Sequence, residues 1–179
     1  MPLERAWFVK APIASWLRRR VKGFTRWAAP LISSELENYH LEKLRQRLDV
    51  RDREFFAQWP VTITGDVCVG DRVSMAAYVH IWGEGGVSIG SGVMIGSHTA
   101  IVSITHDLTL PEMWKTEQLG SVHIADNVWI GAHCVILPGV TIGRGSVVGA
   151  GTIVTRSVPA NAIVTGVPGA VRRDRLVRD

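Results

Sequence analysis

The 179-residue sequence predicts a mainly β solenoid that follows a helical segment. Three observations point to this class: a six-residue repeat from Val61 onward, helical spacing of apolar residues before it, and an apolar composition. Hydrophobic residues make up 46% of the chain and charged residues only 20%, as a repetitive and heavily internalised architecture would produce. We divide the chain into a helical N-terminal segment (1–60), a repeat domain (61–169) and a basic C-terminal tail (170–179).

The N-terminal segment has two parts. In the second part, Ser34 and Glu37 have the spacing of a capping box. Apolar residues then follow at helical spacings and predict a helix over residues 34–57: Leu36, Tyr39, Leu41, Leu44 and Leu48. In the first part, aromatic and basic residues interleave. This mixture fits an amphipathic helix on a membrane surface. Packing on the repeat or on a partner subunit, which we favour, would require the same residues.

The repeat consists of fifteen hexads, and one aliphatic column runs through thirteen of them, usually with a small residue directly after the aliphatic one. This column contains Ile63, Val69, Met75, Ile81, Ile89, Ile95, Ile101, Ile124, Ile130, Ile136, Ile142, Val148 and Val154. Side chains that recur every sixth residue stack when the backbone runs in short strands with corners at a constant phase. An amphipathic helix would instead repeat near 3.6 residues. The repeat therefore predicts a stack of coils with a continuous aliphatic core.

The period breaks once, where a loop (104–121) leaves the repeat. His106 and Asp107 lie at the start of this loop. Insertions into a solenoid cost little entropy and often carry functional sites. An imidazole titrates close enough to neutrality to accept a proton from a reacting group. Asp107 could orient that ring, bind a hydroxyl of a ligand or cap the turn.

From about Val61 to Arg173 the sequence resembles the hexapeptide-repeat acyltransferases. Residues 127–173, NVWIGAHCVILPGVTIGRGSVVGAGTIVTRSVPANAIVTGVPGAVRR, are similar to the C-terminal signature of their sugar O-acetyltransferase branch, which includes galactoside, maltose, nodulation-factor and exopolysaccharide acetyltransferases. The resemblance implies a left-handed parallel β-helix over 61–169 with three hexads in each coil. Fifteen hexads then make about five coils. It also implies transfer of an acetyl group from acetyl-CoA to a hydroxyl of a sugar or glycan precursor, in polysaccharide biosynthesis.

The same resemblance assigns roles to residues by their motif positions. A loop histidine is the base in this family, which implies that His106 takes the acceptor's proton, with Asp107 beside it. The family is a homotrimer that binds CoA between subunits. The residues implied for that groove are Trp129, Ala132, Gly149, Ala150, Thr155, Arg156, Arg172 and Arg173, the arginines offering charge to phosphates. Backbone N–H groups would stabilise the oxyanion, and the sequence does not identify them.

Two other functions remain open on the same fold. A zinc hydratase similar to the γ-class carbonic anhydrases would need histidines at matched phases of neighbouring coils. The familiar pair of histidines five residues apart on one coil is missing, and His98, His106 and His123 do not replace it by spacing. A non-catalytic trimeric scaffold would need only the repeat. We therefore expect no metal cofactor, with acetyl-CoA as the co-substrate.

Composition also limits the location and the partners. No apolar stretch approaches the ~20 residues that cross a bilayer, and no leader pattern opens the chain. We expect a cytoplasmic protein that the N-terminal segment could bring to the inner membrane surface. The net charge of +4 is concentrated near the two ends, but no recognised module predicts a nucleic-acid partner. Cys68 and Cys134 occupy apolar positions of the repeat, which predicts two buried thiols.

Overall fold

The computed structural model describes residues 35–48 and 54–175, and its first element is helix α1 over 35–47. The helix expected as far as residue 57 is shorter than predicted. Phe55 is buried in the core and Phe56–Ala57 already form a strand, so the β-helix begins before the predicted start at Val61. Ser34 and the basic, aromatic residues upstream lie outside the described residues, so their packing or membrane contact stays a prediction.

Sixteen strands and one 3-10 helix follow α1 within the described residues. The strands are β1 (Phe56–Ala57), β2 (Val61–Val69), β3 (Ser74–Met75), β4 (Val79–Ile89), β5 (Met94–Ile95), β6 (Ala100–Val102), β7 (Ile104–His106), β8 (Glu117–Leu119), β9 (Val122–Ile124), β10 (Trp129–Ile130), β11 (Val135–Ile136), β12 (Thr141–Ile142), β13 (Val147–Val148), β14 (Ile153–Val154), β15 (Ala162–Thr165) and β16 (Ala170–Asp174). The 3-10 helix, Met113–Lys115, lies between β7 and β8.

The strands wind into a parallel β-helix with three faces. Face 1 consists of β1, β3, β5, β10, β13 and β15. Face 2 consists of the first halves of β2 and β4, then β6, β11 and β14. Face 3 consists of the second halves of β2 and β4, then β9 and β12. Together they make four complete coils, a fifth that reaches face 3 through the single parallel bridge between Ile142 and Val158, and the first strand of a sixth. This architecture confirms the predicted β-helix.

Tight corners join the faces. Corner A joins face 1 to face 2, corner B joins face 2 to face 3, and corner C leads from face 3 to the next coil. At corner A, one residue in each of the second to fifth coils has a positive φ: Tyr78 (63°), His98 (59°), His133 (57°) and Gly151 (72°). This conformation strains residues other than glycine. The ring of His98 stacks between those of Tyr78 and His133, with centroids 4.7 Å apart on each side, which helps to offset that strain.

The aliphatic column predicted from the repeat lies inside the three faces. Every member is buried except Val69, which is partly buried. Corner valines such as Val73, Val93 and Val128 are also fully buried. Burying one such side chain stabilises the fold by about 1.5–3 kcal/mol, so this column is the main source of stability. Leu48 and Phe55 add to the core at the first coil.

The inserted loop is a short antiparallel hairpin. Its strands β7 and β8 pair in register, with His106 opposite Glu117. Ser103, which is fully buried, ties the root of the hairpin to the preceding coil. Its Oγ donates to the carbonyl of Trp82 (2.7 Å) and accepts the amide of Gly85 (2.8 Å). Its own carbonyl accepts the amide of Gly120 at 2.9 Å, which holds the returning strand.

The end of the described chain turns back on the β-helix. Ala170–Asp174, part of the predicted basic tail, form β16, which runs antiparallel to β15. The two cysteines differ in environment. Cys134 is buried as predicted, but the prediction for Cys68 is wrong, because its side chain points outward from face 3 in register with Ser88.

Candidate active site

His106 lies at the end of β7 with an exposed side chain. Its Nδ1 is 3.0 Å from the carbonyl oxygen of Thr116, on the other arm of the hairpin. A carbonyl oxygen can only accept a hydrogen bond, so Nδ1 carries the proton in the neutral ring. The lone pair therefore lies on Nε2. The hairpin thus holds the imidazole in the tautomer that a general base needs.

A cavity of about 510 Å³ adjoins this imidazole. Its walls are formed by the hairpin residues Thr105, His106, Leu108, Pro111, Glu112, Met113 and Trp114. The walls combine an aromatic ring, aliphatic groups and one carboxylate. The volume lies within the range usual for sites of small organic molecules.

Asp107 caps the hairpin turn. Its Oδ1 accepts hydrogen bonds from the hydroxyl of Thr109 (2.7 Å) and from the amide of Thr109 (2.9 Å). These bonds, the side-chain one first, lower the pKa of Asp107 from its ordinary value of 3.8. Of the three roles considered for Asp107, turn capping is the one whose contacts are present. The group that orients the imidazole is the Thr116 carbonyl, which the sequence analysis did not identify.

Trp129 lies on β10 with its side chain directed outward from face 1 and 52% exposed. Its register partners are Met94 on the preceding coil and Val147 on the following one. These residues line a groove of about 670 Å³, together with Arg144 and Arg175. An aromatic ring beside two guanidinium groups suits a ligand that carries phosphates. The two arginines were not among the predicted donor residues, although Arg144 lies within residues 127–173 and Arg175 lies just beyond them.

Ala132, Gly149 and Ala150 lie together at corner A on successive coils, since β10 and β13 pair in register. A Cβ at Gly149 would approach Cγ2 of Thr165 to 2.8 Å, so the corner has no room for a larger residue there. Thr165 Oγ1 in turn accepts a hydrogen bond from Arg172 Nε at 3.0 Å. Corner A therefore combines these small residues with the stacked rings of Tyr78, His98 and His133, and has a guanidinium near its C-terminal end.

Thr155 and Arg156 follow β14 at corner B, and both are exposed. On face 2, Ile101 is in register with Ile136, which in turn is in register with Val154. The hairpin leaves the wall shortly after Ile101, so it leaves at corner B, two coils before Thr155 and Arg156. Two coil spacings amount to about 10 Å. The predicted base and these two predicted donor residues therefore lie along the same corner.

Within one chain, the predicted donor residues do not form a single cluster. Trp129 lies on face 1, and Arg173 lies on β16 opposite Ile163. The remaining residues are divided between corners A and B, which are separated by the whole of face 2. A face of about five residues in extended conformation is about 16 Å wide.

The remaining histidines have their own neighbours. His123 contacts two hydroxyls: its Nδ1 is 2.7 Å from Ser88 Oγ, and its Nε2 is 3.2 Å from Ser121 Oγ. Over residues 35–48 and 54–175, no group of three or more His, Cys, Asp or Glu side chains is arranged to hold a metal ion. In the same part of the chain, no helix has the length and apolarity to cross a bilayer.

Comparison with known proteins gives three kinds of match. The family model described as "Bacterial transferase hexapeptide (six repeats)" matches residues 121–156. Galactoside O-acetyltransferase of Escherichia coli is 37% identical over 129 residues, which cover 71% of this chain and 54% of that protein. A solved maltose O-acetyltransferase from Clostridium difficile superposes with a TM-score of 0.70 at 26% identity, covering 76% of this chain and 75% of that one.

A second solved structure, a hexapeptide-repeat acetyltransferase from Vibrio cholerae, is a complex with acetyl-coenzyme A. It superposes with a TM-score of 0.68 at 26% identity and covers 79% of this chain and 80% of that one. The chain spans about half the length of the named relatives that it matches in sequence. These matches confirm the resemblance inferred from the repeat and from residues 127–173.

Proposed function

Because this chain carries the hexapeptide repeat of bacterial transferases on the fold of solved acetyltransferases, we propose that it is an acetyl-CoA-dependent O-acetyltransferase. Its acceptor is a hydroxyl of a sugar or a glycan precursor. The observation that carries the proposal is the hydrogen bond between Nδ1 of His106 and the Thr116 carbonyl. That bond leaves the lone pair on Nε2, and His106 lines a cavity of small-molecule size.

The reaction requires one proton acceptor and one route for the proton's return. The acceptor hydroxyl donates its hydrogen bond to Nε2 of His106, and its oxygen bonds to the thioester carbonyl carbon as the proton passes to the ring. The tetrahedral intermediate then collapses. The carbon–sulfur bond breaks, and the CoA sulfur takes the proton from the imidazolium, which restores the neutral ring. The Thr116 carbonyl keeps Nδ1 protonated throughout and stabilises the positive charge on the ring.

We place the donor site between subunits of a homotrimer. Corner A of one chain can face corner B of its neighbour, and this arrangement would bring together the predicted donor residues that lie at these two corners. The outward side chains support this packing. Face 2 presents Val102, Leu137 and Ile153, whereas face 3 presents Ser88 and His123, which bond to each other. Apolar faces favour burial against another copy, and polar faces favour solvent.

The decisive assay measures thiol release from acetyl-CoA over a panel of sugars and nucleotide sugars. We expect His106→Ala to lower the rate by about 10²–10⁴-fold, the usual contribution of a general base. His123→Ala is the matched control, because it removes an exposed imidazole from face 3. Equal rates for wild type and His106→Ala with every working acceptor would refute the role of His106. Failure of the wild type to bind CoA would refute the class and favour a scaffold or a hydratase.

The assembly has a separate test. Light scattering should give a mass near three times the 19.6 kDa of one chain. A fully active monomer would contradict the inter-subunit site. A role in polysaccharide biosynthesis, a cytoplasmic location and a contact of the N-terminal segment with the inner membrane surface stay predictions. Fractionation of cells that express the protein would test the last two.

A further inference from the structure

The tip of the hairpin exposes a cluster of apolar side chains beside His106. Trp114 is 75% exposed and Leu108 is 81% exposed, with Met113 at 48%. Isolated exposed apolar residues are common, but three of them around one cavity mark a surface that binds something. All three line the cavity that adjoins the imidazole.

Neighbouring charges hold the indole of Trp114 in place. Trp114 is the middle residue of the 3-10 helix, and an ion pair between Glu112 and Lys115 spans that helix. The ammonium of Lys115 also lies 5.5 Å from the centroid of the indole, within reach of a cation–π contact. Lys115 is therefore shared between a carboxylate and a ring. This arrangement keeps the exposed ring on a defined turn beside the imidazole.

The cavity walls match the two chemical surfaces of a pyranose ring. One face of a pyranose presents a set of C–H bonds, and its rim presents hydroxyls. The face of an indole is electron-rich and attracts weakly positive C–H groups. The carboxylate of Glu112 can accept a hydrogen bond from one hydroxyl, and Nε2 of His106 can accept one from another. An open-chain polyol has the hydroxyls but no such flat apolar face.

We propose that Trp114 is a specificity-determining residue, on whose indole a cyclic acceptor stacks the apolar face of its pyranose ring while one hydroxyl reaches Nε2 of His106. Trp114 then selects cyclic over open-chain acceptors. This inference rests on the proposed function and assigns a further residue to the same site.

The test compares cyclic and open-chain acceptors at saturating acetyl-CoA. The probes are methyl β-D-galactopyranoside, maltose and galactitol, and the readout is thiol release. Trp114→Ala should raise KM for the two pyranosides roughly tenfold, the fold-change that stacking worth about 1.4 kcal/mol would produce. Trp114→Phe, which keeps an aromatic face, should raise it less than about threefold. The KM for acetyl-CoA should not change, and the loss with galactitol should be smaller than the loss with the pyranosides.

Leu110→Ala is the matched control, because Leu110 is a partly exposed hairpin residue outside the cavity walls. A loss that is equal for galactitol and the pyranosides would show that Trp114 only supports the turn. A raised KM for acetyl-CoA would assign the indole to the donor instead. Either result overturns the proposal, as would an unchanged KM for the pyranosides.

A binding measurement separates this inference from the proposed function. Saturation-transfer NMR detects methyl β-D-galactopyranoside on the protein without any turnover. Binding by the wild type that is lost in Trp114→Ala would support the stacking site even if no thiol were released. Thiol release without any difference between wild type and Trp114→Ala in pyranoside binding would sink the stacking site and leave the transferase intact.

Discussion

The root of the hairpin gives a quantitative test of how the loop is held, through the substitution Ser103→Ala. The change removes the Oγ that accepts the amide of Gly85 and donates to the carbonyl of Trp82. That carbonyl keeps a partner, because it also accepts the amide of Ser103 at 2.9 Å. The amide of Gly85 loses its acceptor. A buried donor without a partner costs about 1–3 kcal/mol. Gly85 is only half-buried, so we expect about 1–2 kcal/mol.

Urea unfolding followed by circular dichroism measures this loss. With a slope near 2 kcal/mol per molar urea, the midpoint should fall by about 0.5–1 M. Variants must be compared at one protein concentration, since subunit association would shift the midpoint. Ser74→Ala is the control, because Ser74 lies on face 1 away from the hairpin, and it should move the midpoint by less than about 0.25 M. Equal midpoints for the two variants would refute the view that Ser103 anchors the hairpin.

Three further predictions concern other parts of the chain. A chromogenic disulfide reagent should label the exposed Cys68 rapidly and Cys134 only on unfolding, because burial raises the pKa of the Cys134 thiol. Rapid labelling of two thiols per folded chain would contradict this prediction. Gly96→Ala should lower the free energy of unfolding by about 3 kcal/mol or more, since a Cβ there would lie 2.5 Å from a backbone nitrogen. Gly151→Ala has open space around the new Cβ and should cost only about 1 kcal/mol, because of the positive φ. Calorimetry should rank the two variants in that order. The lowered pKa of Asp107 means that its cap stabilises the turn fully above the ordinary value of 3.8 and is lost as the pH falls below it; a carboxyl NMR titration with a midpoint above 3.8 would contradict this.

The repeat made the β-helix predictable because its signal is both local and periodic. An Ile or Val recurs at the same position of successive hexads, so one exception does not obscure the register of the coils. The start of the β-helix was harder to place. Phe55 and Phe56 continue an apolar helical pattern in sequence. The burial of Phe55 in the core and the pairing of Phe56 with Ser74 make them part of the β-helix.

The sequence singles out the histidine of the candidate site but not the geometry around it. His106 stands out because it lies where the repeat breaks, and a break in a periodic pattern is visible in one sequence. Its hydrogen-bond partner is the main-chain carbonyl of Thr116. Every residue has such a carbonyl, so the residue type does not predict this contact. The position of Trp114 is informative in the sequence, since a tryptophan in a polar loop has no hydrophobic core to pack into. The burial of Cys68 was wrongly predicted because inward and outward positions of a hexad can both hold small apolar residues.

The reversal of direction at β16 has a consequence for how copies of this protein meet. The last coil of any solenoid offers a row of unpaired N–H and C=O groups, onto which the first coil of another molecule could add in parallel. Here β16 takes up the free edge of β15 by pairing in the opposite sense. It also places three exposed charged residues at this end of the β-helix: Arg172, Arg173 and Asp174. Head-to-tail growth into a fibre would require displacing this strand and covering its charges.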